Sequence, residues 1–257
     1  MVHMFQKVLL MADTHITGPG VHIFGLNPAQ RLRRCLDHAA KHHGDAVHLF
    51  LLGDLTDSGL HSQYKILKEI LDNQPFDRTL MLGNHDCRGT FLDIFPDISR
   101  GYQQGVINFE RTKVLYLDTL ENNNQTKDAG YICEERLRWL KFNLLFDGLP
   151  SIILTHHHLL KTGFTALDEI NLINGLEVAD ILSESKKCQM VISGHVHRTS
   201  VSNYKGVVHA TIKSPCHQMP MVLGSRSMLP SINERGGYGI LILNEKSSVL
   251  HHVDVEN

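Results

Sequence analysis

The sequence lacks the features that mark membrane, secreted or DNA-binding proteins. Its apolar runs stay short of the ~18 residues that a membrane-spanning helix needs. The start, MVHMFQKVLLMADTH, has no basic segment followed by the long apolar stretch of a signal peptide. Lys and Arg number 25 against 27 for Asp and Glu, a formal net charge of -2, and form no basic run for duplex DNA. We therefore expect a cytoplasmic protein with no membrane span and no dedicated nucleic-acid-binding surface.

Cysteine is scarce, and the pattern of its positions excludes two kinds of structure. The five cysteines are odd in number and contain no Cys-x-x-Cys pair: Cys35, Cys87, Cys133, Cys188 and Cys216. This pattern predicts reduced thiols rather than a disulfide framework or a thiolate zinc site. With 257 residues, 42% of them hydrophobic and 20% charged, the chain is long and apolar enough to bury a sizeable core.

Histidine, in contrast, is abundant, with 18 residues in the chain. Abundance alone is weak evidence for a site, because this composition is expected to produce His-x-His about once by chance. The residues beside the histidines, and their positions along the chain, are therefore more informative than the histidine count.

Short apolar runs alternate with amphipathic stretches, which predicts a layered α/β fold built from strand–helix–strand units. The expected strands are Lys7–Ala12, Val47–Leu52, Thr79–Leu82, Val114–Leu117, Ile152–Leu154 and Met190–Ile192. Helices are expected after Asn27, over Leu60–Leu71 and Glu134–Leu145, and from a cap at Asn174 through Leu182.

The chain after about residue 200 has a different texture, with short strands and tight connections that predict an antiparallel part. The expected strands there are Val201–Tyr204, Gly206–Thr211, Gly239–Leu243 and Val249–Val253. With no Gly-, Pro- or Ser-rich linker, residues 1–257 are expected to form a single domain. Asn122 to Asn124 are expected to form an exposed loop.

Polar residues follow five of the expected strands at the point where each strand ends. They are Asp13-Thr14-His15, Gly53-Asp54, Gly83-Asn84-His85-Asp86, Thr155-His156-His157-His158 and Gly194-His195-Val196-His197. Ligands of open α/β sheets bind beyond the carboxyl ends of the strands, so these clusters are expected to converge. Carboxylate, amide and imidazole ligands without thiolate suit Mn, Fe, Zn or Co. Seven such groups are too many for one ion and about right for two that share a carboxylate.

These motifs, in this order, resemble those of the calcineurin-like metallophosphoesterase superfamily. GDLTDSG at 53–59, GNHDCR at 83–88, THHHLLKTG at 155–163, GHVHR at 194–198 and SPCHQ at 214–218 are more closely similar to two branches of it. Those branches are the class III cyclic nucleotide phosphodiesterases and the bacterial glycerophosphodiesterases. The resemblance implies a four-layer αββα sandwich of two mixed β-sheets flanked by helices, and a homodimer or higher homo-oligomer.

The resemblance also implies the ligands of two metal ions, with Fe and Mn the first expectation and Zn or Co the alternatives. The first ion would be bound by Asp13, His15, Asp54 and His197, and the second by Asp54, Asn84, His156 and His195. His156 could exchange this role with a neighbour, because His157 and His158 follow it and the family usually has proline where His158 stands. Asn84, His157 and His217 are expected to contact substrate, and the stretch from Gly18 to Leu26 could line the entrance.

The resemblance and the physics of phosphate esters together imply a mechanism. Two cations neutralise the phosphoryl oxygens and lower the pKa of a bridging water, so that a metal-bridging hydroxide attacks the diester. His85 is expected to protonate the leaving alkoxide, with Asp86 orienting its ring. The expected substrates are small phosphodiesters: 3′,5′- or 2′,3′-cyclic nucleotides, or glycerophosphodiesters. The alternatives are a phosphomonoesterase or a nucleotide pyrophosphatase and, in another class, a metal-free scaffold.

Overall fold

The computed structural model describes residues 5–121, 128–244 and 247–256. Its strands are β1 (Phe5–Met11), β2 (His48–Leu52), β3 (Arg78–Met81), β4 (Gly105–Asn108), β5 (Lys113–Tyr116), β6 (Ser151–Thr155), β7 (Cys188–Ser193), β8 (Ser200–Tyr204), β9 (Val207–Thr211), β10 (Gly237–Asn244) and β11 (Ser248–Asp254). Its helices are α1 (Pro28–His43), α2 (His61–Asp72), α3 (Arg88–Ile94), α4 (Glu134–Leu145), α5 (Thr165–Asp168) and α6 (Gly175–Ser185).

The strands form two mixed sheets. The first has the order β11-β10-β1-β2-β3 and the second β4-β5-β6-β7-β9-β8. β1, β2 and β3 are parallel to one another, as are β5, β6, β7 and β9, while the outer pairings are antiparallel. The carboxyl ends of the parallel strands therefore lie together at one edge of each sheet.

Three apolar clusters hold four layers together. Side chains from both sheets, including Leu10, Phe50, Ile152 and Ile192, form the central cluster between them. A second cluster packs α1, α2 and α3 on the outer face of the first sheet, and a third packs α4 and α6 on the outer face of the second. The helices thus cover both outer faces, and the predicted αββα sandwich is confirmed.

Helix α1 begins where its sequence predicts. The Asn27 side chain accepts a hydrogen bond from the backbone N of Gln30 at 3.0 Å, and Pro28 occupies the first turn. Asn174 also precedes a helix, but its side chain accepts from Ile132 N at 3.1 Å and donates to Ile132 O at 2.9 Å. Asn174 is therefore the N-cap residue of α6, as predicted, but its side chain joins two loops and makes no capping hydrogen bond.

The part after residue 200 pairs antiparallel, as predicted, except where β9 pairs with β7. β8 and β9 belong to the second sheet, where β9 is parallel to β7, whereas β10 and β11 belong to the first. The sequence did not predict β4, α3 or α5, each of which has seven residues or fewer. Asn122 to Asn124 lie outside the described residues, and the single domain stays a prediction. Within the described ranges, no helix combines the length and apolar character needed to cross a membrane.

Candidate metal centre

The backbone beyond β1 and β2 brings the first predicted ligands together. Pairing continues past both strands: Asp13 N donates to Gly53 O at 3.0 Å, and His15 N donates to Asp54 O at 3.0 Å. Across the two sheets, His195 N donates to the Asp13 carboxylate at 2.9 Å. Both strand-end loops and both sheets are therefore fixed relative to one another by hydrogen bonds at this edge.

Strained backbone is concentrated at the same place. Among the described residues, nine that are not glycine have φ in the left-handed region, and five of these nine are predicted metal ligands. The five are Asp13, His15, Asp54, His195 and His197, with φ between 43° and 67°. Such conformations cost about 1–3 kcal/mol each and persist where surrounding contacts require them, commonly at functional sites.

Three glycines in the motifs are required by crowding. A Cβ added to Gly83 would lie 2.2 Å from Asp54 Oδ1, and one added to Gly53 would lie 2.7 Å from His156 Nδ1. A Cβ on Gly194 would lie 2.8 Å from the Ala12 side chain. No side chain larger than hydrogen fits at these positions without displacing a neighbour, which explains why glycine precedes the polar residue in these three motifs.

The predicted first group of ligands turns its polar atoms towards one point. His15 Nε2 lies 3.1 Å from His197 Nε2 and 3.6 Å from Asp54 Oδ2, and His197 Nε2 lies 3.7 Å from Asp13 Oδ1. All four side chains are buried. One ligand atom each from Asp13, His15 and Asp54 lies within 4.8 Å of the others.

The predicted second group converges around His156. Its Nε2 lies 3.1 Å from Asn84 Oδ1, 3.4 Å from Asp54 Oδ1 and 3.3 Å from His195 Nδ1. Asp54 therefore directs one carboxylate oxygen towards each group, as a carboxylate shared by two ions does.

Hydrogen bonds outside the cluster determine which nitrogen of two rings carries the proton. His156 Nδ1 donates to Leu52 O at 2.8 Å, and His197 Nδ1 donates to His217 O at 3.0 Å. In the neutral rings, each Nε2 then presents a lone pair to other acceptors: His156 to the Asn84 oxygen and the Asp54 carboxylate, His197 to Asp13. Acceptors that face one another in a buried space repel unless a proton or a cation lies between them. The residues present therefore fit a cation site with nitrogen and oxygen ligands.

The pKa values show how strongly these groups interact. Burial disfavours the charged form of His156, but the carboxylates of Asp54 and Asp13 outweigh it and raise its pKa to about 9. Burial likewise works against ionised Asp54, yet the neighbouring histidines, His156 above all, keep its pKa well below the usual range. His195 differs, because burial and three nearby histidines hold its pKa well below 6.5. Without a cation, the charges of the cluster are therefore held as pairs of a protonated histidine, such as His156, and an ionised carboxylate, such as Asp54.

His85 lies at the exposed side of the cluster. Its backbone N donates to Asp54 Oδ1 at 2.9 Å, and its ring contacts that of His15 edge-to-face with centroids 4.7 Å apart. The ring Nδ1 lies 2.8 Å from the backbone oxygen of Asp57 and donates to it. Sequence reasoning assigned this orienting role to Asp86, and the structure corrects that prediction.

Asp86 is buried and organises the loops beneath the cluster instead. Its carboxylate accepts hydrogen bonds from Leu55 N, Thr56 N, Thr56 Oγ1, Gly83 N and Tyr64 Oη at 2.9–3.1 Å. Burial and the charge of Asp54 raise the pKa of Asp86 above its usual value. The donors come from the loops after β2 and β3 and from α2, so Asp86 fixes the loops that carry Asp54 and Asn84.

His157 is also placed differently from its predicted contact with phosphate. The ring is fully buried, with Nδ1 at 2.8 Å from Thr119 Oγ1 and Nε2 at 3.1 Å from Asp128 O. Both nitrogens are occupied by matching partners, so the ring has a structural role. Within the run, only His156 directs a nitrogen at Asp54 and Asn84, although one nitrogen of His157 also lies within 4.8 Å of ligand atoms of His156 and His195.

His158, which stands where the family usually has proline, fastens the following loop. Its Nε2 lies 3.2 Å from Asp168 Oδ1. The same carboxylate accepts from Thr162 N at 2.8 Å and from Gly163 N at 3.0 Å. The third histidine of the run is therefore a structural anchor for residues 159–168.

His217, for which the resemblance implies a contact with substrate, lies beside the cluster. Its ring centroid is 4.5 Å from that of His197 and 5.1 Å from that of His15. Burial and the neighbouring histidines strongly lower its pKa, and its buried Nδ1 has no hydrogen-bond partner among the described residues. A buried polar atom without a protein partner, next to the cluster, fits a contact with a bound molecule.

Asp57 is a residue of this site that sequence reasoning missed. One carboxylate oxygen lies 3.6 Å from His15 Nδ1, while its backbone oxygen orients His85. It therefore contacts both a predicted ligand and the predicted acid. The available signal was its place in the motif GDLTDSG, three residues after Asp54.

Comparisons with known proteins point in one direction. A family model described as calcineurin-like phosphoesterase matches residues 6–199. A probable cyclic nucleotide phosphodiesterase of Rhodopseudomonas palustris is 29% identical over 96% of this chain and 91% of its own. A probable glycerophosphodiester phosphodiesterase of Arcobacter nitrofigilis is 27% identical over 84% of this chain and 81% of its own. Among solved structures, a dimetal phosphatase of Danio rerio has a TM-score of 0.73 at 16% identity, with 97% and 96% of the two chains covered.

Proposed function

The chain belongs to the calcineurin-like phosphoesterase family, and from that premise we propose that it is a metal-dependent phosphodiesterase acting on small phosphodiesters. The fold of this family implies a site for two divalent metal ions, and clusters of His and Asp are present where it would lie. We assign Asp13, His15, Asp54 and His197 to one ion and Asp54, Asn84, His156 and His195 to the other. Asp54 belongs to both sets and is the ligand that the two ions would share.

One observation carries the proposal: nitrogen and oxygen atoms of the predicted ligands converge within the site. His15 Nε2 and His197 Nε2 are 3.1 Å apart, and His156 Nε2 is 3.1 Å from Asn84 Oδ1. Without a metal, protons on the rings link these atoms, in keeping with the raised pKa of His156, and a bound cation would replace those protons. The donor set of nitrogen and oxygen atoms supports ions of intermediate hardness, and we propose Fe and Mn, with Zn or Co as alternatives.

When bound, two such ions neutralise the phosphoryl oxygens and lower the pKa of water towards ~7, so that a nucleophile forms at neutral pH. The chain's own contribution begins with orientation. Leu52 O and His217 O hold the rings of His156 and His197 through their Nδ1 protons, so each Nε2 stays directed inwards. Asp86 holds the loops of Asp54 and Asn84 in register, although it touches neither the His85 ring nor the cluster's centre.

His85 supplies the proton for the leaving group. Its Nδ1 donates to Asp57 O, so the proton that the imidazolium exchanges is the one on Nε2. The backbone hydrogen bond to Asp54 fixes the residue beside the cluster, and the ring itself is exposed to incoming substrate. Protonation of the alkoxide by a positioned histidine contributes about 10²–10⁴-fold to the rate.

The test is a kinetic panel on protein reconstituted with Mn or Fe. It compares 3′,5′-cAMP, 2′,3′-cAMP, glycerophosphoethanolamine, bis-(p-nitrophenyl) phosphate and a phosphomonoester. Asp54→Ala is expected to lose the metals and all diester hydrolysis. His85→Ala is expected to keep both metals and lose about 10²–10⁴-fold in kcat. His61→Ala, which removes an exposed histidine that pairs with Asp93 of α3, is the matched control and should behave as wild type.

Three results would contradict the proposal. Undiminished diester hydrolysis by Asp54→Ala would remove the catalytic role of the cluster. Preference for the monoester would favour a phosphomonoesterase. Loss of both metals in His85→Ala would make His85 a ligand rather than the acid.

Two further assignments belong to the proposal. All five cysteines are free thiols, which supports a reducing, cytoplasmic location. Homodimer formation and the lack of dedicated nucleic-acid binding stay predictions, which sedimentation and filter binding test.

A further inference from the structure

A tight turn follows the first metal motif and carries an unusual residue at its tip. Ile23 N donates to Leu26 O at 3.0 Å, and Leu26 N donates to Ile23 O at 2.8 Å, so Phe24 and Gly25 form the connection. Both have positive φ, 49° for Phe24 and 78° for Gly25. Two consecutive positive φ values are those of a type I′ turn, whose first position favours Asn, Asp or Gly.

Neither backbone preference nor burial explains phenylalanine at this position. A bulky residue is strained at positive φ. Phe24 also gains little from the hydrophobic effect, because it is 53% exposed. A strained and exposed aromatic residue is therefore retained at a cost to folding, which is the pattern of a residue whose side chain serves binding.

The Phe24 ring lies at the edge of the proposed active site. Its centroid is 5.6 Å from that of His217, which it contacts edge-to-face. The His217 ring in turn lies 4.5 Å from His197 and 5.1 Å from His15. A molecule held at the cluster with a planar group directed past His217 would thus meet an exposed aromatic ring.

We propose that Phe24 is a specificity-determining residue that stacks on a planar aromatic group of the substrate, such as the base of a cyclic nucleotide. This inference rests on the proposed phosphodiesterase function and deepens it. A nucleobase has a π-face for this ring, whereas the glycerol and ethanolamine groups of a glycerophosphodiester have none. Phe24 therefore distinguishes the two substrate classes open to this site, and does so without contacting the phosphorus.

The experiment uses metal-loaded wild type, Phe24→Asn, Phe24→Tyr and a control. Asparagine adopts positive φ readily, so Phe24→Asn removes the ring while relieving the backbone. Phe24→Tyr keeps the ring. Phe142→Ala is the control, because it removes a ring that is 61% exposed on α4 and stacks on Phe146 instead.

We expect Phe24→Asn to raise KM for 3′,5′-cAMP about 10-fold, the size of one base–aromatic stack, with less than a 2-fold change for glycerophosphoethanolamine. Binding of AMP should weaken similarly, while binding of inorganic phosphate stays unchanged. The thermal midpoint should stay equal or rise, whereas a structural role would lower it. Phe24→Tyr and Phe142→Ala should match wild type.

Equal losses on both diesters, or a lower midpoint in Phe24→Asn, would overturn the inference. So would unchanged binding of AMP. If wild type hydrolyses no diester, the proposed function fails, and the AMP measurement still decides the role of Phe24.

Discussion

Gly83→Ala tests whether the geometry of the cluster, rather than its list of ligands, produces activity. The substitution removes no ligand and adds one methyl group. That carbon would lie 2.2 Å from Asp54 Oδ1, 2.5 Å from Asp54 N and 2.6 Å from His156 Nε2. Carbon contacts of this kind need at least 3 Å, so the Asp54 carboxylate must move by about 1 Å.

The size of the effect follows from that displacement. Overpacking of this kind costs about 1–3 kcal/mol of folding free energy, which leaves the protein folded at 25 °C. A misplacement of about 1 Å at reacting groups costs about 10²-fold in rate. We therefore expect a fall of at least about 100-fold in kcat/KM for bis-(p-nitrophenyl) phosphate, with reduced metal content and a native circular dichroism spectrum.

Gly89→Ala is the matched control for this substitution. Gly89 lies in α3, six residues further along the chain, and a Cβ there meets nothing within 4 Å. Alanine in a helix should raise stability by about 0.5–1 kcal/mol and leave kcat/KM unchanged. Wild-type kcat/KM and full metal content in Gly83→Ala would refute this prediction, because they would show that crowding at Gly83 does not set the position of the Asp54 carboxylate.

Three other predictions concern two residues beside the cluster and one buried histidine of β9. Asp86→Ala leaves five buried donors without their acceptor, so urea unfolding should show a loss of about 3–5 kcal/mol, whereas His85→Ala should cost less than about 1 kcal/mol. Asp57→Asn removes the charge facing His15 but keeps the backbone oxygen that orients His85, so isothermal titration should show metal binding weakened about 10–100-fold. Burial lowers the pKa of His209 to about 4, so the unfolded chain binds a proton below about 6.5 and the folded chain only below about 4. Unfolding free energy should therefore fall as the pH drops from 6.5 to 4 in wild type, and by less in His209→Leu; equal slopes in the two proteins would contradict this.

The fold was largely predictable because its central strands are buried on both faces. β2 and β6 are buried along their whole length, and such strands appear in the sequence as continuous apolar runs with clear ends. β4 escaped prediction because it is four residues long and only partly buried, so the sequence carries no comparable contrast. The parallel pairing of β9 with β7 also has no local signal, since it depends on a connection between distant segments.

The positions of the predicted ligands were accessible from sequence, whereas the roles of their neighbours were not. Asp54 and Asn84 follow strands directly, and parallel strands carry such residues to one edge. The partner of a side chain, in contrast, depends on rotamers and loops that sequence spacing does not encode. Asp86 is adjacent to His85 in sequence, yet its carboxylate points to the loops beneath, and Asp57 takes its expected place.

The hydrogen-bond partners of the ring nitrogens, rather than burial, distinguish the histidines of this protein from one another. His156 and His157 are both fully buried and adjacent in sequence. Each nitrogen of His157 has a partner of the matching kind, so the ring is satisfied without any ligand. His156 has one satisfied nitrogen and a second that faces only acceptors and another ring nitrogen.

His209 shows a third arrangement, because both of its nitrogens are buried and lack a hydrogen-bond partner within the described part of the chain. Burial alone lowers its pKa, and no carboxylate opposes the effect. Two conditions together favour a histidine as a metal ligand: a fixed proton on the outer nitrogen and facing acceptors at the inner one. His156 and His197 meet both. The proposed ligands His15 and His195 each keep one buried nitrogen without a hydrogen-bond partner among the described residues, and His209 meets neither condition.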